Sequence, residues 1–211
     1  MKTVKFDELD DSHISEIAKT LDSGGLVCVP VNGSYRILAD LEDSGAVMSL
    51  LQTKRRAGAA PSLVFIDDTK MLHKVVGDVD QAVKPLYKNL WPGPLTIRFD
   101  VNKDLPRKVQ KELVKANGKV GVRVPEDAYV RKIVSELGRP VLVTSANRSN
   151  KPGESSRAQV RQNFARGISY FVDAGDLRDG KSSTIVDVDK GSVKIVRNGA
   201  VSDEDINRLV G

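Results

Sequence analysis

The stretch from Gly118 to Asn150, GKVGVRVPEDAYVRKIVSELGRPVLVTSANRSN, constrains the fold more than any other part of the chain. It reads as strand, helix, strand and loop. In VGVRVP, Val120, Val122 and Val124 alternate with Gly121, Arg123 and Pro125. A period of two sends the valines to one face and Arg123 to the other. Asp127 is placed to cap a helix whose apolar stripe is Val130, Ile133, Val134 and Leu137, stopped by Gly138. PVLV is a continuous apolar run, as a strand buried on both faces requires, and it delivers Thr144, Ser145 and Asn147 into a loop. One arginine and three hydrogen-bonding residues are thereby expected to face a shared cleft.

The rest of the chain extends the same alternation less regularly. Residues 12–22 predict a helix ended by Gly24-Gly25, followed by the strand LVCVP and then a loop, VNGSYRILAD. Residues 44–54 predict a second helix, TKRRAGAAP a basic loop, and SLVFID a buried strand. Helices are expected at 69–76 and 79–90, the second with Val83, Leu86, Tyr87 and Leu90 inward. WPGPLTIRFD turns into the strand LTIRF, and 103–117 is a charged surface helix or loop. Beyond KPGESS come a helix near 157–165, the strand ISYFVDAG, and a strand pair around Asp189-Lys190-Gly191. A last helix is capped by Ser202, with Ile206 and Leu209 inward. Mixed but not strictly alternating elements predict an α/β fold, a twisted mixed sheet surrounded by helices, as a single domain over residues 1–211.

Composition excludes several classes. Hydrophobic residues at 40% and charged residues at 29% describe an ordinary globular chain. No run approaches the roughly 20 apolar residues of a membrane span, and the acidic, polar MKTVKFDELDDSH is no signal peptide, so the expected location is the cytoplasm. Cys28 is the only cysteine, set in an apolar run, so it is read as a buried, inert thiol. An excess of 33 Lys+Arg over 28 Asp+Glu gives +5, which permits RNA or small anions as partners.

The chemistry-bearing residues are cations and hydroxyls. Lys54, Arg55 and Arg56 end a helix, Thr96 follows the Pro-Gly-Pro turn, and Arg123 and Thr144-Ser145-Ala146-Asn147 close strands. Ser183-Thr184 and Arg197 add two more groups. His13 and His73 sit on predicted helices, no paired carboxylates or metal-ligand cluster stand out, and neither G-x-S-x-G nor a Walker-type loop is present. Guanidinium forks and Ser/Thr donors suit a phosphate or carboxylate, and chemistry among them rests on positioning and charge neutralisation.

In order, the segments GGLVCVP followed by Tyr35, the K-x-R of Lys54 and Arg56, WPGPLT, VGVRVP, PVLVTSAN-x-S, SSTIVD and VRNGA resemble the YrdC-like family, across about residues 24–200. The resemblance implies a concave, basic cavity and enzymes that condense L-threonine, bicarbonate and ATP to threonylcarbamoyl-AMP and pyrophosphate, usually with Mg2+, for tRNA modification. It implies that Lys54 and Arg56 contact ATP phosphates, that Thr96 lies near the nucleotide, and that Arg123 binds the threonine carboxylate. Thr144, Ser145 and Asn147 would line the cavity, Ser183 would approach the amino acid, Arg197 the nucleotide, and Tyr35 the substrate. No protein-held metal is expected.

Departures cluster in the first half of the pattern. The family signature P-T-x-T-x-Y-G-L is PVNGSYRI here, with Val31 and Gly33 in place of the threonines and Arg36 in place of the glycine. Ala60 precedes Pro61 where a second lysine is usual, and Asn150 stands where a glycine follows the serine. Two readings follow: a threonylcarbamoyl-AMP synthase-like enzyme, or a divergent paralogue that binds nucleotide or RNA with little synthase activity or uses a related amino acid.

Overall fold

The tip joining the second and third strands organises the sheet. The computed structural model describes residues 1–54, 62–114, 118–147, 154–178, 180–189 and 191–210. Among them ten strands form one sheet: β1 Lys2–Lys5, β2 Val27–Val31, β3 Ser34–Asp40, β4 Leu63–Phe65, β5 Leu95–Phe99, β6 Val120–Arg123, β7 Val141–Ser145, β8 Tyr170–Asp173, β9 Thr184–Asp189 and β10 Ser192–Arg197. Their order is β1-β8-β2-β3-β7-β4-β6-β5-β9-β10. Parallel pairs (β1/β8, β2/β8, β4/β6, β5/β9) are mixed with antiparallel ones, as the α/β reading expected.

Seven α-helices accompany the sheet: α1 Asp11–Asp22, α2 Ser44–Thr53, α3 Lys84–Leu90, α4 Arg107–Val114, α5 Ala128–Leu137, α6 Arg157–Phe164 and α7 Asp203–Val210. Asp10 caps α1 by accepting from the His13 amide, and Asp43 caps α2 by accepting from Gly45 and Ala46. Gly138, at φ 70°, ends α5 in the left-handed conformation. Asp127 occupies the N-cap position of α5, but its side chain makes no cap hydrogen bond. Ser202 caps α7, its Oγ accepting from the Asp205 amide at 3.1 Å. None of these helices is long and apolar enough to cross a membrane.

Three expectations are corrected. VNGSYRILAD is not a loop: Ser34–Asp40 is β3, paired to β2 through Val31↔Ser34 and Pro30↔Tyr35. Asn32 (φ 46°) and Gly33 (φ 76°) both take positive φ, so Asn-Gly makes a two-residue turn of the I′ kind that matches strand twist. The helix expected at 69–76 is a 3-10 helix, Thr69–Lys74. The one expected at 79–90 begins as a 3-10 turn, Gln81–Val83, and becomes α-helical only at Lys84, beside Pro85, whose missing N–H is tolerated in a first turn. The loop expected at 54–61 lies outside the described residues beyond Lys54.

β2 and β3 run through the core, with Val27, Cys28, Val29, Tyr35, Ile37 and Leu38 at 0% exposure. Burial raises the Cys28 thiol pKa far above its ordinary value, so no thiolate forms near neutral pH. The turn at their tip is held from two sides. Tyr129 on α5 donates its hydroxyl to the Pro30 carbonyl, and Asn32 Nδ2 donates to the Lys181 carbonyl at 3.1 Å. Although β7 and β4 separate β3 from β6, the hairpin tip meets the residues just after β6, so the sheet curls.

A Cβ at Gly33 would lie 2.2 Å from the Arg178 carbonyl oxygen and 2.5 Å from the Gly180 nitrogen. Both neighbours are main chain and cannot swing aside. Gly33→Ala is expected to cost at least about 2 kcal/mol, through a positive φ and this clash. The melting midpoint should fall by about 4–8 °C for a chain of this length, measurable by circular dichroism.

Candidate anion-binding site

Strand register alone gathers the site. Side chains directly opposite in paired strands share a face, and alternate residues of one strand return to it. Arg36 is opposite Ser145. Four residues back along β7 from Ser145, and so on the same face, is Val141, which faces Phe65, which faces Arg123. On the far side of β6, Thr96 is opposite Ile185, and Ile185 is opposite Arg197. One face of the curled sheet thus carries Arg36, Ser145, Arg123, Thr96 and Arg197.

At its centre is a cluster of hydroxyls and guanidinium groups. Arg123 Nε and Nη2 donate to Thr96 Oγ1 at 3.2 and 3.1 Å, and Nη2 also donates to Ser183 Oγ at 2.7 Å. Arg197 Nη2 reaches the same Ser183 Oγ at 3.0 Å and the Ser183 carbonyl at 2.8 Å. The two hydroxyls are 3.2 Å apart. One can donate to the other, and the second proton is then left for a ligand. Thr96, Arg123 and Ser183 are buried, and the Arg123 guanidinium lies 5.5 Å from the Phe65 ring centre.

These cations differ from other arginines of the protein. Arg98 pairs with Asp187 at 2.6 Å and Arg139 with Asp40 at 2.8 Å. Among the described residues, Arg36, Arg123 and Arg197 have no carboxylate within the 4.0 Å of an ion pair. Burial, then repulsion from Arg36 and Arg197, pulls the Arg123 pKa down to about 9, against a weaker pull upward from Asp127. It remains a cation at neutral pH, held at a cost. Arg36 is lowered by burial and by Arg197, with Glu154 opposing, and Arg197 is lowered by burial. Asp127 is itself raised by burial, against hydrogen bonding that includes the Asn32 amide. An oxyanion would relieve all three guanidinium groups together.

The remaining sequence candidates take distinct places. Lys54, at the C-terminus of α2, is buried and donates Nζ to the Ser145 carbonyl at 2.7 Å, to Asn147 Oδ1 at 2.7 Å and to the Asn147 carbonyl. Ser145 Oγ donates to Asn147 Oδ1 at 2.6 Å, so lysine and loop lock each other. Tyr35 points to the opposite face from Arg36. Its hydroxyl donates to the Gly175 carbonyl at 2.7 Å and accepts from the Ala174 amide, and its ring packs on Phe171 at 5.2 Å. Alternation also turns Thr144, opposite Ile37, away from the arginine face. Arg56 lies outside the described residues. Trp91 is buried and donates to the Leu95 carbonyl, a packing role. Among the described residues no group of three or more His, Cys, Asp or Glu side chains could hold a metal ion.

Arg36 entered the sequence reading as a departure from the family signature and was not among its site residues. Its signal was the Asn-Gly turn: with β3 started there, period-two alternation places residue 36 opposite Ser145.

A mixed sheet with arginines and hydroxyls gathered on one curled face defines an α/β protein with a candidate anion site. The Sua5/YciO/YrdC family model, described as telomere recombination, matches residues 19–199, and the chain belongs to that family. It is 27% identical to a threonylcarbamoyl-AMP synthase of Pyrococcus abyssi over 205 residues, 97% of this chain and 59% of that protein. It is 31% identical to a putative threonylcarbamoyl-AMP synthase of Mycobacterium tuberculosis over 191 residues, 90% of this chain and 86% of that one. The solved P. abyssi Sua5 complexed with L-threonine superposes with a TM-score of 0.86 at 27% identity, covering 100% of this chain and 60% of that one. Escherichia coli YciO shares the fold, with a TM-score of 0.79 at 20% identity, covering 95% of this chain and 96% of that one. The chain spans about three fifths of the length of the first curated relatives it matches.

Replacing Arg123 by methionine removes a buried, repelled cation and leaves Thr96 and Ser183 to bond each other. Arg123→Met is expected to hold the ligand-free melting midpoint or raise it by about 2–4 °C, a gain on the order of 1 kcal/mol. A clear drop in a thermal melt would show instead that Arg123 is chiefly structural.

Proposed function

We propose that the chain forms an aminoacyl-carbamoyl adenylate from ATP, bicarbonate and an amino acid of the threonine class, as a threonylcarbamoyl-AMP synthase-like nucleotidyltransferase. Arg123 carries the reading: a buried guanidinium without a carboxylate partner, fixed by two hydroxyls. In this reading the amino-acid carboxylate takes its fork, and Ser183 and Thr96 orient that carboxylate. The amino nitrogen combines with bicarbonate to give a carbamate, with loss of water. A carbamate oxygen then attacks the α-phosphorus, the bond to the β-phosphate oxygen breaks, and pyrophosphate leaves.

The protein's part is positioning and neutralisation, with no covalent intermediate. Arg197, more open than Arg123, faces the nucleotide phosphates, joined there by Arg56. Lys54 acts through the loop it clamps: its bonds to Ser145 and Asn147 hold that loop's side chains beside the ligand. Thr144 and Tyr35 support this wall from behind. The site's donors are cations and hydroxyls, which do not fit a protein-held Mg2+. Magnesium would arrive on the triphosphate, and no step here runs through it. The adenylate's purpose would be tRNA threonylcarbamoyladenosine formation in the cytoplasm, and the net positive charge suits an RNA partner.

Pyrophosphate release from ATP and bicarbonate, with and without amino acid, tests the reaction. Release should depend on amino acid, and Arg123→Ala should lower kcat/KM by about 100-fold or more. Release indifferent to amino acid, or to Arg123, would remove the proposal.

A further inference from the structure

Ser183 is the hydroxyl on which the site converges. It accepts from Arg123 Nη2 at 2.7 Å and from Arg197 Nη2 at 3.0 Å, with Thr96 Oγ1 3.2 Å away. A serine hydroxyl has only three staggered positions about its own main chain, so where that main chain lies decides where the hydroxyl can be. The reaction as read gives no part to the residues that hold it.

Each residue from 181 to 184 is tied to another segment. Asn32 Nδ2 donates to the Lys181 carbonyl at 3.1 Å, and the Ala200 amide donates to the Ser182 carbonyl at 2.9 Å. Arg197 Nη2 donates to the Ser183 carbonyl at 2.8 Å. The Thr184 amide donates to the Pro94 carbonyl at 3.0 Å, and its hydroxyl to the Val201 carbonyl at 2.7 Å.

Two of these ties depend on which residue is present. A Cβ at Gly199 would lie 2.3 Å from the Ser182 carbonyl oxygen and the Ser183 carbonyl carbon, and 2.4 Å from the Thr184 nitrogen. All three are main chain, so a side chain at 199 must push the 182–184 backbone away. Gly199 is not among the glycines with positive φ, so the close approach and not the backbone conformation calls for glycine. On the other side, Asn32 takes φ 46°, a conformation that asparagine tolerates, and its side-chain amide is the group that reaches Lys181. Gly180 lets the two segments meet, since a Cβ there would lie 2.5 Å from the Asn32 carbonyl oxygen.

We propose that Gly199 and Asn32 are positioning residues of the amino-acid subsite, a two-sided clamp on the 181–184 main chain that holds the Ser183 hydroxyl at the Arg123 fork. Both act through Ser183. The inference rests on the synthase reading of the same site and adds the residues that set its serine.

Calorimetric titration of the full chain with L-threonine, in a saturating non-hydrolysable ATP analogue, tests this as a double-mutant cycle. Ser183→Ala should weaken threonine by about tenfold or more, as loss of a hydrogen bond to a charged group does. Gly199→Ala should weaken it by a similar factor. Asn32→Gly keeps the positive φ, removes only the amide, and should weaken it by about threefold or more. In the Ser183→Ala background each should cost less than about twofold, because the group being positioned is gone. A loss of equal size in both backgrounds is what a structural role alone would give, and it overturns the proposal. So does either variant that binds threonine within about twofold of the unmutated chain. Should Gly199→Ala fail to fold in a thermal melt, Asn32→Gly decides by the same criteria. Pyrophosphate release separates the two readings. Threonine binding without release from ATP and bicarbonate defeats the synthase reading alone, and threonine-dependent release with additive losses defeats this inference alone. A chain that binds no threonine defeats both.

Discussion

The tip of the β2–β3 hairpin is the constraint on which the site depends. Three contacts set it: Tyr129 bonded to Pro30, Asn32 bonded to Lys181, and Gly33 seated against the main chain of Arg178 and Gly180. Those contacts join the segment after β6 and the segment before β9 to strands that lie well away from them in the sheet order. Without them Arg36 on β3 and Arg197 on β10 would sit six strands apart in a ten-stranded sheet. With them, their charges repel each other. The chain has used backbone sterics at one turn to bring distant cations to one place.

That concentration is unfavourable without a ligand, which is why it reads as a binding site. The half-buried Arg98 elsewhere in this sheet is matched with a carboxylate, that of Asp187. At the site the chain supplies hydroxyls instead. Thr96 and Ser183 satisfy the geometry of the Arg123 fork but not its charge. Lys54 obeys a different rule, giving its ammonium to carbonyls and an amide oxygen of one loop. A sequence places Lys54, Arg123 and Arg197 in one list of cations. The structure divides them into a cation that holds a loop and cations that lack counter-ions among the described residues.

How much of this could be read from residues varies with the range of the interaction. The helices announced themselves through apolar spacing and caps, so α1, α2, α5 and α7 fall where periodicity puts them. Arg123 and Ser183 were visible as isolated polar residues at strand ends, but nothing in the spacing says that they meet. Their contact joins residues sixty positions apart. β3 was missed because SYRILAD alternates poorly when both faces are buried, and Asn-Gly was passed over as loop chemistry. That single misreading also hid Arg36, because a residue in a loop has no face.

The departures at positions 31, 33 and 36 are better understood together than one at a time. The YrdC-like signature has threonines at 31 and 33, and there the residues of this chain are valine and glycine. A threonine at 33 would place its Cβ 2.2 Å from the Arg178 carbonyl oxygen, so this packing of Arg178 and Gly180 and a side chain at 33 are mutually exclusive. Val31 is buried within β2 and gives the turn an apolar base. The tight turn then fixes the register that carries Arg36 to Ser145, and a guanidinium stands on the same sheet face as Arg123. Random loss of function would remove polar groups from that face and leave it neutral. Here hydroxyls were removed and a positive charge was added, with the backbone tightened to hold it. Such a change alters what the site prefers to bind more readily than it abolishes binding.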